Sequence, residues 1–300
     1  MLEVDRISKT FGSVHAVTEL SFRASPGAVF GLLGPNGAGK TTTIRMILDI
    51  IEPDAGVVRW QGRRVDAAIR HTFGYLPEER GLYPKMKVRD QLLFLAQLHG
   101  VDAETAKRRI DALAASLNLT EHMAQAPLEL SKGNQQKVQF IAAVAHEPPL
   151  LVLDEPFSGF DPVNVEVVKH SIRQLVARGT AVLLSSHRME QVEELCQDVC
   201  IIDRSRAVLA GDLRDIKRNW PDRFVRMTKL PSTDFLRAFP GASVMPDRDG
   251  YLDVKLPPSF APADLIRAAM GAGQLDHFEV VEPSLNDIYL AAVRPEERSA

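Results

Sequence analysis

Cysteine is nearly absent from this chain: two in 300 residues, Cys196 and Cys200, with three residues between them. That argues against a disulfide framework, and a zinc site would lack further ligands. The expectation is two half-buried thiols at a helix-to-strand junction. Long apolar runs are missing too. "FIAAVA" (140–145) and "LLVL" (150–153) are core-sized, far short of the roughly 20 residues that cross a bilayer. The opening "MLEVDRISKT" carries acids and has no apolar stretch of the secretory kind, so a cytosolic chain is expected. Nor is there an excess of positive charge. Lys and Arg number 36 against 39 Asp and Glu, for a net charge of -3 and a pI near 6.3. That balance argues against nucleic acid as the main partner. What remains is 45% apolar and 25% charged, an ordinary soluble composition, at a length that allows one or two domains.

What is there begins with strands. "LEVDRISKTF" and "LSFRASPGAVF" are β-rich and broken by Gly12 and Pro26-Gly27. "AVFGLLG" (28–34) reads as a buried strand entering a glycine-rich turn, and "TTTIRMILDII" (41–51) as a helix stopped by Pro53 and Gly56. "VVRWQGRRV" (57–65) suggests a hairpin and "HTFGYLP" (71–77) another strand. From about 85 to 147 the pattern turns helical: "VRDQLLFLAQLHG", "DAETAKRRIDALAASLNL" opening on Asp102, and "NQQKVQFIAAVAHE" stopped by Pro148-Pro149. Strand and helix then alternate again: strand 150–153, helix about 162–178, strand 180–186, helix 189–196, strand 199–203. This is an α/β core with a β-rich start and an inserted helical subdomain. From about residue 215 the order becomes βαββαβα, with "TDFLRAF" as a helix, a turn at "DRDG" (247–250) and a Ser284/Asp287 capping box. That order predicts a small α+β ferredoxin-like domain over 215–300, after a first domain of 1–214.

Several stretches carry chemistry. "GPNGAGKT" (34–41) fits G-x-x-x-x-G-K-[ST] between a strand and a helix, the setting of a P-loop. Gly34, Gly37 and Gly39, with Asn36 and Ala38 between them, let backbone N–H groups curl around phosphate oxygens, where a side chain would block the approach. Lys40 is expected to reach the β- and γ-phosphates, Thr41 to ligate Mg²⁺ and Thr42 to offer a hydroxyl to the α-phosphate. "LLVLDEP" (150–156) ends a buried strand in two carboxylates. Asp154 suits Mg²⁺ and Glu155 suits a general base that orients water. His187 follows "LLSS" at a strand end, where such sheets gather their ligand contacts; a lone histidine is also common as a capping or surface residue. In "LSKGNQQ" (130–136) Ser131 stands where a helix N-cap belongs, and Gly133 permits close approach of an anion. Taken alone, this reads as an ordinary capped helix.

The full ordered set resembles the nucleotide-binding subunit of an ABC transporter over about residues 1–210. The resemblance implies a P-loop NTPase core of the ABC ATPase kind that binds ATP with Mg²⁺. It implies that "LSKGNQQ" is the signature motif, usually L-S-G-G-Q, whose Ser131, Gly133 and Asn134 grip the ATP bound to a second subunit. It further implies that Phe11 in "KTFG" stacks on adenine, that Ser158, Gly159 and Asp161 form the D-loop, and that His187 touches the γ-phosphate. Glu78 stands where the family has a glutamine near Mg²⁺ and the γ-phosphate. Lys132 replaces the first signature glycine and Asn134 the signature glutamine. "YLPEERGLYPKMKV", "LSKGNQQKVQ" and the ending "PSLNDIYLAAV" are similar to a narrower group, the ATP-binding subunits of ABC-2-type exporters, including sodium-efflux types. The partners implied are a membrane permease and a second ATPase subunit, with the chain peripheral on the inner face of the membrane. The rival expectation is a soluble ABC ATPase of assembly, translation or repair. Those of translation and excision repair usually carry two cassettes, long coiled coils or zinc fingers, none of which this sequence has.

Overall fold

Three runs of apolar sequence form the middle of the first unit. "VFGLL", "LLVLD" and "AVLLSS" are buried at every position, the pattern of parallel strands covered on both faces. Each fully buried Leu or Val among them contributes about 1.5–3 kcal/mol of hydrophobic stabilisation. The computed structural model describes residues 1–79, 81–245 and 250–293. The expected turn at 247–250 falls largely outside them. The chain divides into two compact units, Met1–Asp212 and Leu213–Ala300.

In the first unit the elements run β1 (Leu2–Phe11), β2 (Val14–Ala24), β3 (Val29–Leu33), α1 (Lys40–Ile47), β4 (Ala55–Trp60), β5 (Arg63–Arg64), α2 (Ala67–Arg70) and β6 (Gly74–Leu76). The helical insert follows: α3 (Val88–Leu98), α4 (Ala103–Ser116) and α5 (Lys132–Val144), with two short 3-10 turns between α4 and α5. The core then resumes with β7 (Leu150–Asp154), α6 (Pro162–Ala177), β8 (Ala181–Ser186), α7 (Met189–Glu193), β9 (Asp198–Asp203) and β10 (Arg206–Asp212). One sheet is antiparallel, in the order β2-β1-β4-β5; the other runs β10-β9-β3-β8-β7-β6 and is parallel except at the β10 edge. Register decides where the chemistry lies. Leu33 pairs with Ser186, and Asp154 with Ser185, so the P-loop, the acidic pair and His187 all leave the sheet at one edge.

The second unit contains α8 (Leu213–Arg218), β11 (Arg223–Thr228), β12 (Ser243–Val244), β13 (Tyr251–Leu256), α9 (Pro262–Ala272), β14 (Phe278–Val281) and α10 (Leu285–Val293). Its antiparallel sheet has the order β12-β13-β11-β14, the ferredoxin-like arrangement, around a core that includes Val225, Val254 and Leu265. Ser284 and Asp287 form the expected reciprocal cap.

Some local expectations are corrected. Residues 234–238 form a 3-10 turn rather than an α-helix, closed by bonds such as Leu236 N–H to Thr233 O. Helix α7 stops at Glu193 rather than 196, because Leu195 and Cys196 both donate to the Val192 carbonyl and tighten the last turn. Both cysteines are fully buried rather than half-buried. Burial pushes the Cys200 thiol up to about 12 and that of Cys196 higher still, so neither is a reactive thiolate.

Candidate functional site

A cleft of about 490 Å³ opens at the strand edge where β3 and β7 end. Asn36, Gly37, Gly39, Lys40, Thr41 and Thr42 line one side, and Glu78, Asp154 and Glu155 the other. Gly34 and Gly39 have positive φ (151° and 109°), which L side chains rarely adopt. A Cβ at Gly34 would lie 2.1 Å from the Ile202 carbonyl oxygen, and one at Gly39 would lie 2.3 Å from that of Ala16. Here these two glycines are required by close packing against the chain's own backbone. At Gly37, which lines the cleft, a Cβ would meet open space.

The basic and acidic groups of the cleft are already engaged with one another. Lys40 is buried, donates to the carbonyls of Gly34 (2.8 Å) and Pro35 (3.2 Å), and lies 3.8 Å from Glu155. Burial lowers its pKa, against the opposing pull of Glu155, Asp154 and Glu78. Asp154 accepts hydrogen bonds from Thr41 Oγ1 (3.2 Å) and Ser185 Oγ; burial raises its pKa and those two bonds oppose the rise. Glu155 has φ of 49°, a strained conformation for a residue with a side chain. Its carboxylate accepts from His187 N–H (2.9 Å), His187 Nδ1 (2.8 Å) and Ser186 Oγ (3.2 Å). A carboxylate accepts only, so Nδ1 of His187 carries the proton and a neutral ring keeps a lone pair at Nε2.

Among the described residues no group of three or more His, Cys, Asp or Glu is arranged to hold a metal by itself. The oxygen donors Thr41 and Asp154, already in contact, fit a hard cation such as Mg²⁺, whose remaining ligands are normally substrate phosphates and water. Glu78 is exposed at the same cleft.

The "LSKGNQQ" stretch lies elsewhere. Ser131 caps α5, its Oγ accepting from Asn134 N–H at 3.2 Å. Ser131 and Lys132 are exposed, and none of residues 130–136 lines the nucleotide-sized cleft. A Cβ at Gly133 would sit 3.6 Å from Phe160, an ordinary contact, so nothing within this chain requires glycine there. Asp161 caps α6, accepting from Asn164 N–H at 2.9 Å, which lowers its pKa. Phe11 is 47% exposed, with the Lys9 amine 5.7 Å from its ring centre.

Four further cleft residues escape the sequence reading: Val14, His15, Ala16 and Ser205. The turn between β9 and β10 brings Ser205 to β2, where its carbonyl accepts from Thr18 N–H at 2.8 Å. For Val14, His15 and Ala16 the only local hint is their place just after the exposed Phe11; Ser205 has none.

Known proteins share this arrangement. Residues 17–158 match the ABC transporter family model, and residues 211–293 match the C-terminal domain of DrrA1-3-like ATP-binding proteins. The chain is 44% identical to YhaQ of Bacillus subtilis, an ABC transporter ATP-binding protein, over 98% of each. It is 37% identical to the Nod factor export ATP-binding protein I of Paraburkholderia xenovorans over 70% of each. The structure of an ATP-binding subunit of an ABC transporter superposes with a TM-score of 0.69 and 32% identity, covering 73% of this chain and 93% of that one. The dimeric cassette MJ0796 shares the fold at a TM-score of 0.66 and 19% identity, over 71% and 99%. With a relative matched along almost its whole length and a nucleotide cleft built from its own P-loop and acidic strand end, this chain belongs to the ABC transporter ATP-binding proteins, as an ATP-hydrolysing subunit.

Proposed function

We propose that two such subunits pack head to tail around two ATP molecules and drive export through a separate membrane permease. The observation that carries this reading is the separation of two anion grips within one chain. The P-loop cleft has no contribution from residues 130–136, while the N-terminus of α5 exposes Ser131 and leaves Gly133 and Asn134 half-buried beside it. A glycine that nothing in its own chain needs points to an approach from outside.

In this reading the backbone from Gly34 to Gly39, through Asn36, Gly37 and Ala38, cradles the phosphates. Lys40 leaves its carbonyl partners for the β- and γ-phosphates, and Thr42 adds a hydroxyl. Thr41, Asp154 and Glu78 hold Mg²⁺, which when bound neutralises phosphate charge. Phe11 stacks on adenine, and Asp161 joins the opposite site through the D-loop. As Lys40 moves to the phosphates, Glu155 is left to accept a proton from water attacking the γ-phosphorus while the bond to the β–γ bridging oxygen breaks. His187 can donate to a γ-phosphate through Nε2 only when that nitrogen gains a proton, since Nδ1–H is committed to Glu155.

Domain roles follow: 1–214 as the ATPase, with about 85–147 as its helical subdomain, and 215–300 as an accessory domain. Tyr83, Phe94, Leu98 and Leu128 are exposed apolar side chains of 83–128. Tyr83 meets Phe94 edge-on, and Leu128 N–H bonds to Pro84 O. An apolar patch of this kind suits a protein partner. No helix among the described residues is long and apolar enough to cross a membrane, so in this reading the permease supplies the passage and holds the chain at the inner membrane face. The export direction rests on the likeness to a Nod factor export ATP-binding protein, and the ABC-2 type on the sequence resemblance. The test is affinity purification of the tagged chain from detergent-solubilised membranes. A multispanning protein should co-purify in stoichiometric amount and stimulate ATP hydrolysis; recovery of soluble assembly, translation or repair partners alone would overturn the reading.

A further inference from the structure

The short stretch 77–79 brings Glu78 to the nucleotide cleft, and it is held at both ends. Before it lies β6, whose Leu76 pairs with Leu153 of β7, one residue short of Asp154. Pro77 follows, its φ fixed by the ring. After Glu78 the hold comes from α5. Gln139 is only 5% exposed, and its amide nitrogen donates to the Glu79 carbonyl at 3.2 Å, across 60 positions of sequence. Helix α5 is itself seated tightly on β6. A Cβ at Gly74 would lie 2.2 Å from the Ala143 carbonyl oxygen, so glycine is what lets the two backbones come this close. The helix therefore meets this segment at two points, Ala143 against Gly74 and, one turn back, Gln139 against Glu79.

Packing alone does not account for a glutamine at 139. A backbone carbonyl only accepts, so the amide NH₂ must face Glu79, and Oε1 is turned elsewhere. That oxygen is buried and has no partner. A leucine of similar volume would fill the same space without an unpaired oxygen. What the glutamine adds is the one bond to Glu79. Between that bond and β6 sits Glu78, which lines the cleft. Burial lowers the Lys40 pKa, and Glu78 is one of three carboxylates whose charge opposes this, so its field reaches the phosphate-binding lysine.

We infer that Gln139 is a positioning residue: through the Glu79 backbone it holds the Glu78 carboxylate at the phosphate side of the nucleotide cleft. A carboxylate fixed there has two effects of opposite sign. Without metal it repels the phosphates; with metal it is a further oxygen donor. The second effect rests on the reading above that Glu78 holds Mg²⁺, and the first does not. Glu79 is exposed, so its carbonyl can turn to water when Gln139 is replaced, and the fold survives the change. Glu78 is then free to swing toward solvent, and both effects fade together.

The test compares full chains carrying Gln139→Leu, Glu78→Gln or both. Gln139→Leu should melt at or above the wild-type temperature, since it removes an unpaired oxygen. In EDTA each single variant should bind ADP about threefold more tightly, the scale of a screened charge pair, and the double variant no more tightly than Glu78→Gln. With ADP and Mn²⁺, followed by loss of the free-ion EPR signal, Gln139→Leu should bind Mn²⁺ about tenfold more weakly, as when a group that orients a metal ligand is lost. In the Glu78→Gln background the same change should have no effect on Mn²⁺. Unchanged metal-free ADP affinity in Gln139→Leu, additive effects in the double variant, or early melting with weaker ADP binding in EDTA would each overturn the inference. If the metal-free pattern holds and neither variant alters Mn²⁺ affinity, the reading of Glu78 as a metal ligand fails and its positioning by Gln139 stands.

Discussion

Glu155 occupies a left-handed backbone position and spends its carboxylate on His187, Ser186 and the nearby Lys40. That arrangement keeps the proposed base ordered before nucleotide arrives, yet dependent on Lys40 moving away. Glu155→Gln keeps the shape and removes the basicity. ATP binding should persist while turnover falls by about 10²–10⁴, the range for a lost acid–base group. Steady-state phosphate release measured beside nucleotide affinity separates the two effects. Turnover at the wild-type rate would show that another group takes the proton.

At the scale of elements, α5 joins two features. Its N-terminus carries Ser131, and just beyond its C-terminus His146 stacks on His99 at the end of α3, which in turn stacks on His71 after α2, with ring centres 4.9 Å apart. The groups acting on His146 are these two rings and the carbonyls of Phe73 and Thr72. Burial, with His99 and His71 adding to it, pushes His146 down to about 4 from 6.5. A depressed folded pKa means that the unfolded chain binds the proton first. The stack's stability is therefore full above pH 6.5 and is lost as pH falls from 6.5 toward about 4. A difference of about 2.5 pK units corresponds to roughly 3 kcal/mol at 1.36 kcal/mol per unit, and solvent screening of a half-buried ring reduces it to about 1–2 kcal/mol. Urea unfolding at pH 7.5 and 5.0 should show a larger loss in the wild type than in His146→Phe. Equal losses in the two proteins would contradict this.

What could be read in advance divides along the same lines. Each motif after a buried strand was legible, because an apolar run ending in charged or glycine-rich sequence marks both the strand and its functional end, as at Leu33 and Asp154. Contacts made only by tertiary packing were not. Ser205 reaches the cleft from 187 positions beyond Thr18, and nothing near either residue signals the meeting (205 − 18 = 187). Helix α2 is too short, at four residues, to have a period, and its Asp66 cap is its only signature. The three-histidine stack likewise joins residues that are ordinary in their own neighbourhoods.

For the whole molecule, two departures from the family pattern carry opposite charge. Glu78 lines the nucleotide cleft and Lys132 is exposed at the first turn of α5. In a head-to-tail pair, one chain's Glu78 would lie near the other's Lys132. Across about 6 Å at an effective dielectric near 20, such a pair is worth roughly 3 kcal/mol before desolvation. A double-mutant cycle on ATP-driven dimerisation, with Glu78→Gln and Lys132→Gly, should give a coupling of at least about 1 kcal/mol. A value below about 0.5 kcal/mol, the level of ordinary additivity, would exclude compensation between them.

The most direct measurement of the shared-site account mixes two defective chains. Lys40→Ala removes the phosphate grip of its own cleft, and Ser131→Arg blocks the grip offered to a partner. Each protein alone should form no ATP-dependent dimer, as judged by light scattering after size exclusion. Mixed, they can build one intact site from the Lys40 of one chain and the Ser131 of the other, so an ATP-dependent heterodimer should appear. A mixture that stays monomeric with ATP, under conditions where the wild type dimerises, would contradict the account.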